Sequence, residues 1–138
     1  MFPGQGSQSI EMGQSLYLHD GVFRQQFDRC AELLQPHIKL DIRQLIYPQS
    51  ERDNAISRLN ATRYTQPALF IVEYALACQL QAWGITPQAM IGHSLGELVA
   101  ACVGGDVRAG RCTGIGSQSC CNHATSAYRG NAGSTGII

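Results

Sequence analysis

Gly92-His93-Ser94-Leu95-Gly96 has the G-x-S-x-G spacing of a nucleophile elbow, and it lies between a short apolar run and a helical pattern. In such an elbow the chain turns sharply from strand to helix, so the flanking positions need residues with no Cβ to strike the neighbouring strand or helix. The turn exposes Ser94 Oγ and aims the N-terminus of the next helix at it, where first-turn N–H groups and the helix dipole favour negative charge. The N–H of Leu95, next after the serine, is then placed to bind a developing oxyanion. The chemistry this permits is attack of a serine oxygen on an acyl carbon, with an ester as the intermediate. A serine in an ordinary tight turn between strand and helix has the same spacing and no such chemistry.

A second segment invites a chemical reading. Phe2-Pro3-Gly4-Gln5-Gly6-Ser7-Gln8 is a glycine-rich loop without the Lys-Ser/Thr pair of a P-loop and without the G-x-G-x-x-G spacing of a dinucleotide fold. Phosphate binding is therefore not expected. The glycines suit a backbone that must come close to another group, or a loop that merely connects.

The elements that must position these loops follow from the apolar spacing. Phe23, Phe27, Cys30 and Leu34 recur at helical intervals before Pro36, which predicts a helix that stops there. Shorter helical pieces are expected at Ile42 to Ile46 and through Ile56 and Leu59. Thr65-Gln66-Pro67 predicts the start of the clearest helix, with a polar cap candidate and a proline in the first turn. Its apolar stripe is Leu69, Val72, Leu76, Leu80 and Trp83, and Gly84 ends it. Ala89-Met90-Ile91 reads as a buried strand leading into the elbow. Glu97 to Val103 read as the helix after it.

The 138 residues allow one compact domain with a real core. Ten basic side chains balance ten acidic ones. That gives no electrostatic reason to bind nucleic acid or an anionic membrane surface. No apolar run approaches a bilayer span, and the start of the chain reads as a loop and not as a secretory leader. A soluble, cytoplasmic protein is expected. Cys30, Cys78 and Cys102 sit singly in apolar helical segments, as buried reduced thiols do. Composition changes sharply at Gly104–Gly105. Residues 105–138 contain no leucine, phenylalanine, lysine or glutamate and no apolar period, so that segment is expected to be disordered. Cys120-Cys121 with His123 fits no ordinary zinc spacing, and no metal is expected.

Taken together, FPGQGSQ at 2–8, TQPALF at 65–70 and GHSLGE at 92–97, in that order and at those separations, resemble the acyltransferase family. That family comprises the malonyl-CoA:acyl-carrier-protein transacylases and the acyltransferase domains of polyketide and fatty acid synthases. Residues Gly84 to Ile91 look most like the polyketide synthase branch, and the resemblance covers residues 1 to about 104. It implies an α/β fold: part of the α/β-hydrolase-like large subdomain over 1–104, without the small ferredoxin-like subdomain, followed by the aberrant tail 105–138.

The resemblance also implies roles. Ser94 would take the acyl group from coenzyme A, and Gln5 and Leu95 would supply the two backbone N–H groups of the oxyanion hole. Gln66 would lie near the acyl pocket, with His93 helping to shape it. The substrate would be acyl-CoA and the acceptor the phosphopantetheine thiol of an acyl carrier protein, in ping-pong order, with no bound cofactor. Leucine at 95 leans toward malonyl units.

Departures from the family pattern are equally plain. The family's histidine base comes far beyond the elbow, and none of His19, His37, His93 and His123 matches it. Arg108 and Arg111 fall near the family's carboxylate-pairing arginine, but in sequence that no longer follows the pattern. The break at Gly104–Gly105 reads as a reading-frame shift or misjoined end. The expected product is thus the nucleophile-bearing part of the domain, inactive alone. A serine esterase of the α/β-hydrolase kind shares the elbow but gives no reason for FPGQGSQ or TQPALF. A non-catalytic truncated product is the third reading.

Overall fold

The computed structural model describes residues 1–104; the tail 105–138, with its expected disorder and with Cys112, Cys120, Cys121 and His123, lies outside the described residues. Six helices follow one another: α1 (Gln14–His19), α2 (Gly21–Ile38), α3 (Arg43–Ile46), α4 (Arg52–Leu59), α5 (Thr62–Ala82) and α6 (Leu95–Gly104). The core forms where α5 packs on α2 along one side and on α6 along another.

Phe23, Phe27, Cys30 and Leu34 are all buried on one face of α2, as their spacing predicts. Tyr17, Phe27 and Tyr47 cluster with ring centroids 4.9–5.4 Å apart, a separation at which aromatic pairs add to simple area burial. At the opening of α2, the Phe23 N–H donates to Gln79 Oε1 of α5 at 2.9 Å. A first-turn amide with no intrahelical partner is thereby capped from a neighbouring helix. On the rim, Arg43 pairs with both Asp28 and Asp41 at 3.0 and 2.9 Å. Burial pushes the Asp41 carboxyl up, but hydrogen bonds from the Arg43 side chain and backbone outweigh it and hold it below its ordinary value.

Four local expectations are corrected. The helix expected to stop before Pro36 runs on to Ile38, with Pro36 inside it, and ends at Lys39 in the left-handed region (φ 55°). Proline removes one helical hydrogen bond, and burial of Ile38 in the core offsets that loss. Helix α5 begins at Thr62 and not at Thr65. Thr65 is buried, and its hydroxyl donates back to the Leu59 and Ala61 carbonyls at 2.5 and 3.1 Å, so it joins α4 to α5 where a cap was expected. At the other end, Gly84 does end α5 (φ 82°). Its N–H bonds the Gln81 carbonyl and the Ile85 N–H reaches back to Leu80, a Schellman closure.

The third correction concerns the sheet. Ala89-Met90-Ile91 was expected as a buried strand, yet the described residues contain no strand, only a single parallel bridge between Phe2 and Gly92. Ile91 is 66% exposed. A parallel strand is buried only when neighbouring strands and helices cover both faces; here one residue pair is the whole ladder. In place of the expected α/β sheet and subdomain, the described residues show six helices and one isolated bridge.

The apolar stripe assigned to α5 is also divided. Leu69 is buried and Val72 half-buried, but Leu76 is 36% and Trp83 54% exposed. The face that meets the core carries Ala68, Ile71 and Ala75, all fully buried.

Candidate active site

The elbow is built by backbone crowding. Ser94 has φ 55°, in the left-handed region that a residue with a Cβ adopts only when its surroundings impose it. The imposition can be read at the two glycines. A Cβ on Gly92 would lie 2.0–2.2 Å from backbone atoms of Gly96 and Glu97, and one on Gly96 would lie 2.3 Å from the Phe2 carbonyl oxygen. Neither position admits a side chain. The Gly96 N–H closes on the His93 carbonyl at 3.0 Å and the Glu97 N–H on that of Ser94 at 3.1 Å, which completes the turn into α6. Ser94 is left exposed at the N-terminus of that helix, and Leu95 opens its first turn. The Leu95 N–H is thus among the donors that a helix leaves without an intrahelical partner.

The N-terminal loop lies against the elbow. The Phe2 N–H donates to the Ile91 carbonyl at 2.9 Å, and the His93 N–H donates to the Phe2 carbonyl at 3.2 Å. A Cβ on Gly4 would come within 2.8 Å of His93 Nδ1 and 3.0 Å of the His93 carbonyl oxygen, so the loop passes His93 too closely to leave room for a side chain at position 4. The exposed His93 side chain therefore flanks the loop.

Beyond Gly4 the loop is held in place. Within it, the Ser7 hydroxyl donates to the Gly4 carbonyl at 3.0 Å and the Gly6 N–H to Gln8 Oε1 at 2.8 Å. Gln5 Nε2 donates to Thr62 Oγ1 at 3.2 Å, and Gln8 Nε2 to Asn60 Oδ1 at 3.0 Å. Gln66 stands one turn along α5 from Thr62, so the two share a helix face. Thr62 is thus the point at which loop 2–8 and the 65–70 segment approach each other. The structure brings the loop, the elbow and the start of α5 into one corner, although these segments lie as much as 90 residues apart in sequence.

Asn60, Thr62 and Glu73 are the residues that the sequence reading passed over. Thr62 could have been found from its i,i+4 relation to Gln66, and Glu73 as the lone acid in the apolar run Ala68–Ala77. Nothing local marks Asn60. His19 ends α1 and His37 lies in the last turn of α2, both exposed. Among the described residues no cluster of three or more His, Cys, Asp and Glu side chains could hold a metal ion, and no helix is long and apolar enough to cross a membrane.

The family model described as "Acyl transferase domain" matches residues 1–110. The phenolphthiocerol synthesis polyketide synthase type I Pks15/1 of Mycobacterium marinum is 44% identical over 105 residues, 76% of this chain and 5% of that protein. Among solved structures, the acyl transferase domain of ZmaA aligns with TM-score 0.71 at 42% identity, over 74% of this chain and 24% of that one. The acyl transferase domain of SpnD, in complex with 2-(pent-4-yn-1-yl)malonyl, aligns with TM-score 0.64 at 41% identity, over 75% and 24%. The chain thus spans about a twentieth of the synthase and a quarter of each solved domain.

Proposed function

Since the chain belongs to the acyl transferase domain family, we propose that it supplies the nucleophile-bearing part of a polyketide synthase acyltransferase domain. In that domain a malonyl-type acyl group moves from coenzyme A to a carrier protein. The observation that carries the reading is Ser94 itself: exposed, at φ 55°, at the N-terminus of α6 and beside a loop paired to its own turn. Ser94 Oγ attacks the thioester carbon, the carbonyl oxygen takes up the charge, and coenzyme A leaves as the thiol once the tetrahedral adduct collapses. The Leu95 N–H at the helix start and the Gln5 N–H from the loop stabilise the oxyanion. The phosphopantetheine thiol of an acyl carrier protein then attacks the Ser94 ester and carries the acyl group away, regenerating the hydroxyl. Gln66 and His93 border the acyl group. That a solved neighbour at 41% identity holds a substituted malonyl group supports the choice of acyl class.

This chemistry needs a general base to take the serine proton. Among the described residues His93 adjoins the nucleophile, but it occupies the turn that forms the elbow. Residues 1–104 acting alone are therefore expected to acylate at least about 10³-fold more slowly than a complete domain.

The test grafts residues 1–104 into the ZmaA acyl transferase domain in place of the matched quarter and treats the product with malonyl-CoA. Intact-mass analysis should show a malonyl ester that Ser94→Ala abolishes. A folded graft that takes up no malonyl group, or an adduct that survives Ser94→Ala, defeats the proposal. The esterase reading predicts turnover of simple acyl esters with no transfer to a pantetheine thiol, and the same sample distinguishes it.

A further inference from the structure

In loop 2–8, two hydrogen bonds sit on the peptides either side of Gln5. The Ser7 hydroxyl donates to the Gly4 carbonyl at 3.0 Å, and the Gly6 N–H donates to Gln8 Oε1 at 2.8 Å. A trans peptide is planar, with its carbonyl and its N–H turned opposite ways. The Gly4 carbonyl and the Gln5 N–H belong to one such peptide, since no peptide bond among the described residues is cis. Where Ser7 holds the oxygen therefore fixes where the Gln5 N–H points. Gln8 holds the next peptide by its Gly6 N–H, so both planes that meet at Gln5 are tied.

These ties matter because the backbone here turns easily. Gly4 has no Cβ, for want of room beside His93. Gly6 stands at φ 116°, with nothing within 4 Å of where its Cβ would lie. Glycine on both sides lowers the steric barrier to rotating a peptide plane. A half-turn of the Gly4–Gln5 plane would put a carbonyl oxygen where an N–H had been, and an oxyanion would meet an acceptor in place of a donor. The Ser7 bond has a second effect: a donor on the Gly4 carbonyl polarises that peptide and strengthens its N–H as a donor.

The ties are anchored outside the loop. Because the Gly6 N–H can only donate, the Gln8 atom facing it is the oxygen, which leaves the Gln8 nitrogen for Asn60 Oδ1 at 3.0 Å. The Gln5 side chain is held by Thr62 Oγ1. Asn60 ends α4 and Thr62 opens α5, so the loop takes its conformation from the helix that packs in the core.

We propose that Ser7 and Gln8 are positioning residues for the oxyanion hole: by holding the peptides before and after Gln5, they keep its N–H turned to the acyl oxygen. The proposal rests on the acyl-transfer reading of Ser94 and adds to it two side chains that act through the backbone.

Malonylation of Ser94 is followed in the ZmaA graft by single-turnover intact mass over a range of malonyl-CoA concentrations, and circular dichroism of the full chain carrying each substitution checks folding. Ser7→Ala should lower the limiting rate about 10- to 100-fold, less than the loss of a whole oxyanion donor, and leave the half-saturating concentration within about twofold. Ser7→Thr, which keeps the hydroxyl, should restore most of that rate. Gln8→Ala should show the same signature with a loss of about 3- to 30-fold. Ser9→Ala, at an exposed serine just past the loop, should match the parent. A folded Ser7→Ala graft at the parent rate overturns the proposal, as does a change in half-saturation alone or a Ser7→Thr graft as slow as Ser7→Ala. Should Ser7→Ala not fold, Gln8→Ala decides, and a parent-like rate there overturns the proposal. A parent graft that takes up no malonyl group defeats the acyl-transfer reading and this proposal with it, whereas a parent that acylates with both alanine variants unaffected defeats this proposal alone.

Discussion

On one face of α5, Ala68, Ile71 and Ala75 are fully buried in the core shared with α2 and α6. On another face of the same helix, Leu76 and Leu80 look into an open groove beside a carboxyl that has no partner among the described residues. Both faces obey the helical period, and the second carries the larger side chains. The difference is that α2 and α6 belong to this chain, whereas nothing among the described residues lies over the groove. Periodicity therefore reports which side chains are fit to be covered, and not whether the cover is present.

Truncations on the two faces should differ most. Ile71→Ala deletes fully buried atoms between packed helices and should cost about 3 kcal/mol in urea unfolding. A cost below about 1 kcal/mol would show that the α2–α5 core is loose and would erase the contrast between the faces.

The groove should announce itself next through pH. Burial pushes the Glu73 carboxyl from 4.5 up to about 7. Because its folded value is raised, the native state binds more protons than the unfolded chain between those values, so stability falls as pH rises through that window and levels off above it. The full shift is reduced because the groove is open to water, leaving roughly 2 kcal/mol lost between pH 5 and pH 8. Glu73→Gln should remove the slope and leave the protein more stable at pH 8. An unchanged slope would mean that Glu73 is solvated and the groove wider than described.

The smallest effect belongs to the groove wall. Leu76→Ala, at a position already 36% exposed, should change stability by under about 0.5 kcal/mol. A loss matching that of Ile71→Ala would show that the chain covers its own groove in solution, and the two faces would cease to differ.

Much of the site was legible because its requirements are local. An elbow needs glycines two residues either side of its serine, and the crowding at Gly92 and Gly96 is the reason. The helix stripe Phe23 to Leu34 was legible for a similar reason, since a single period on a single element fixes its own buried face. Less was legible where distant groups decide. Pro36 lies within α2 because Ile38 finds the core, and Thr65 lies inside α5 because its hydroxyl finds Leu59 and Ala61. The 89–91 run has the composition of a buried strand, but burial depends on neighbours that composition does not contain.

By itself, then, the amino-acid order determined the serine's turn and the helix periods, each written in residues within a few turns of one another, and the family, written in three short motifs whose order needs no folding to be read. Only the tertiary structure decided that loop 2–8 pairs with residues 91–93, that Thr62 and Asn60 hold it, and that one face of α5 has no cover among the described residues. Those outcomes depend on hydrogen bonds and contacts between segments tens of residues apart. The chain must close on itself before such groups can meet, and no local pattern encodes which of them will.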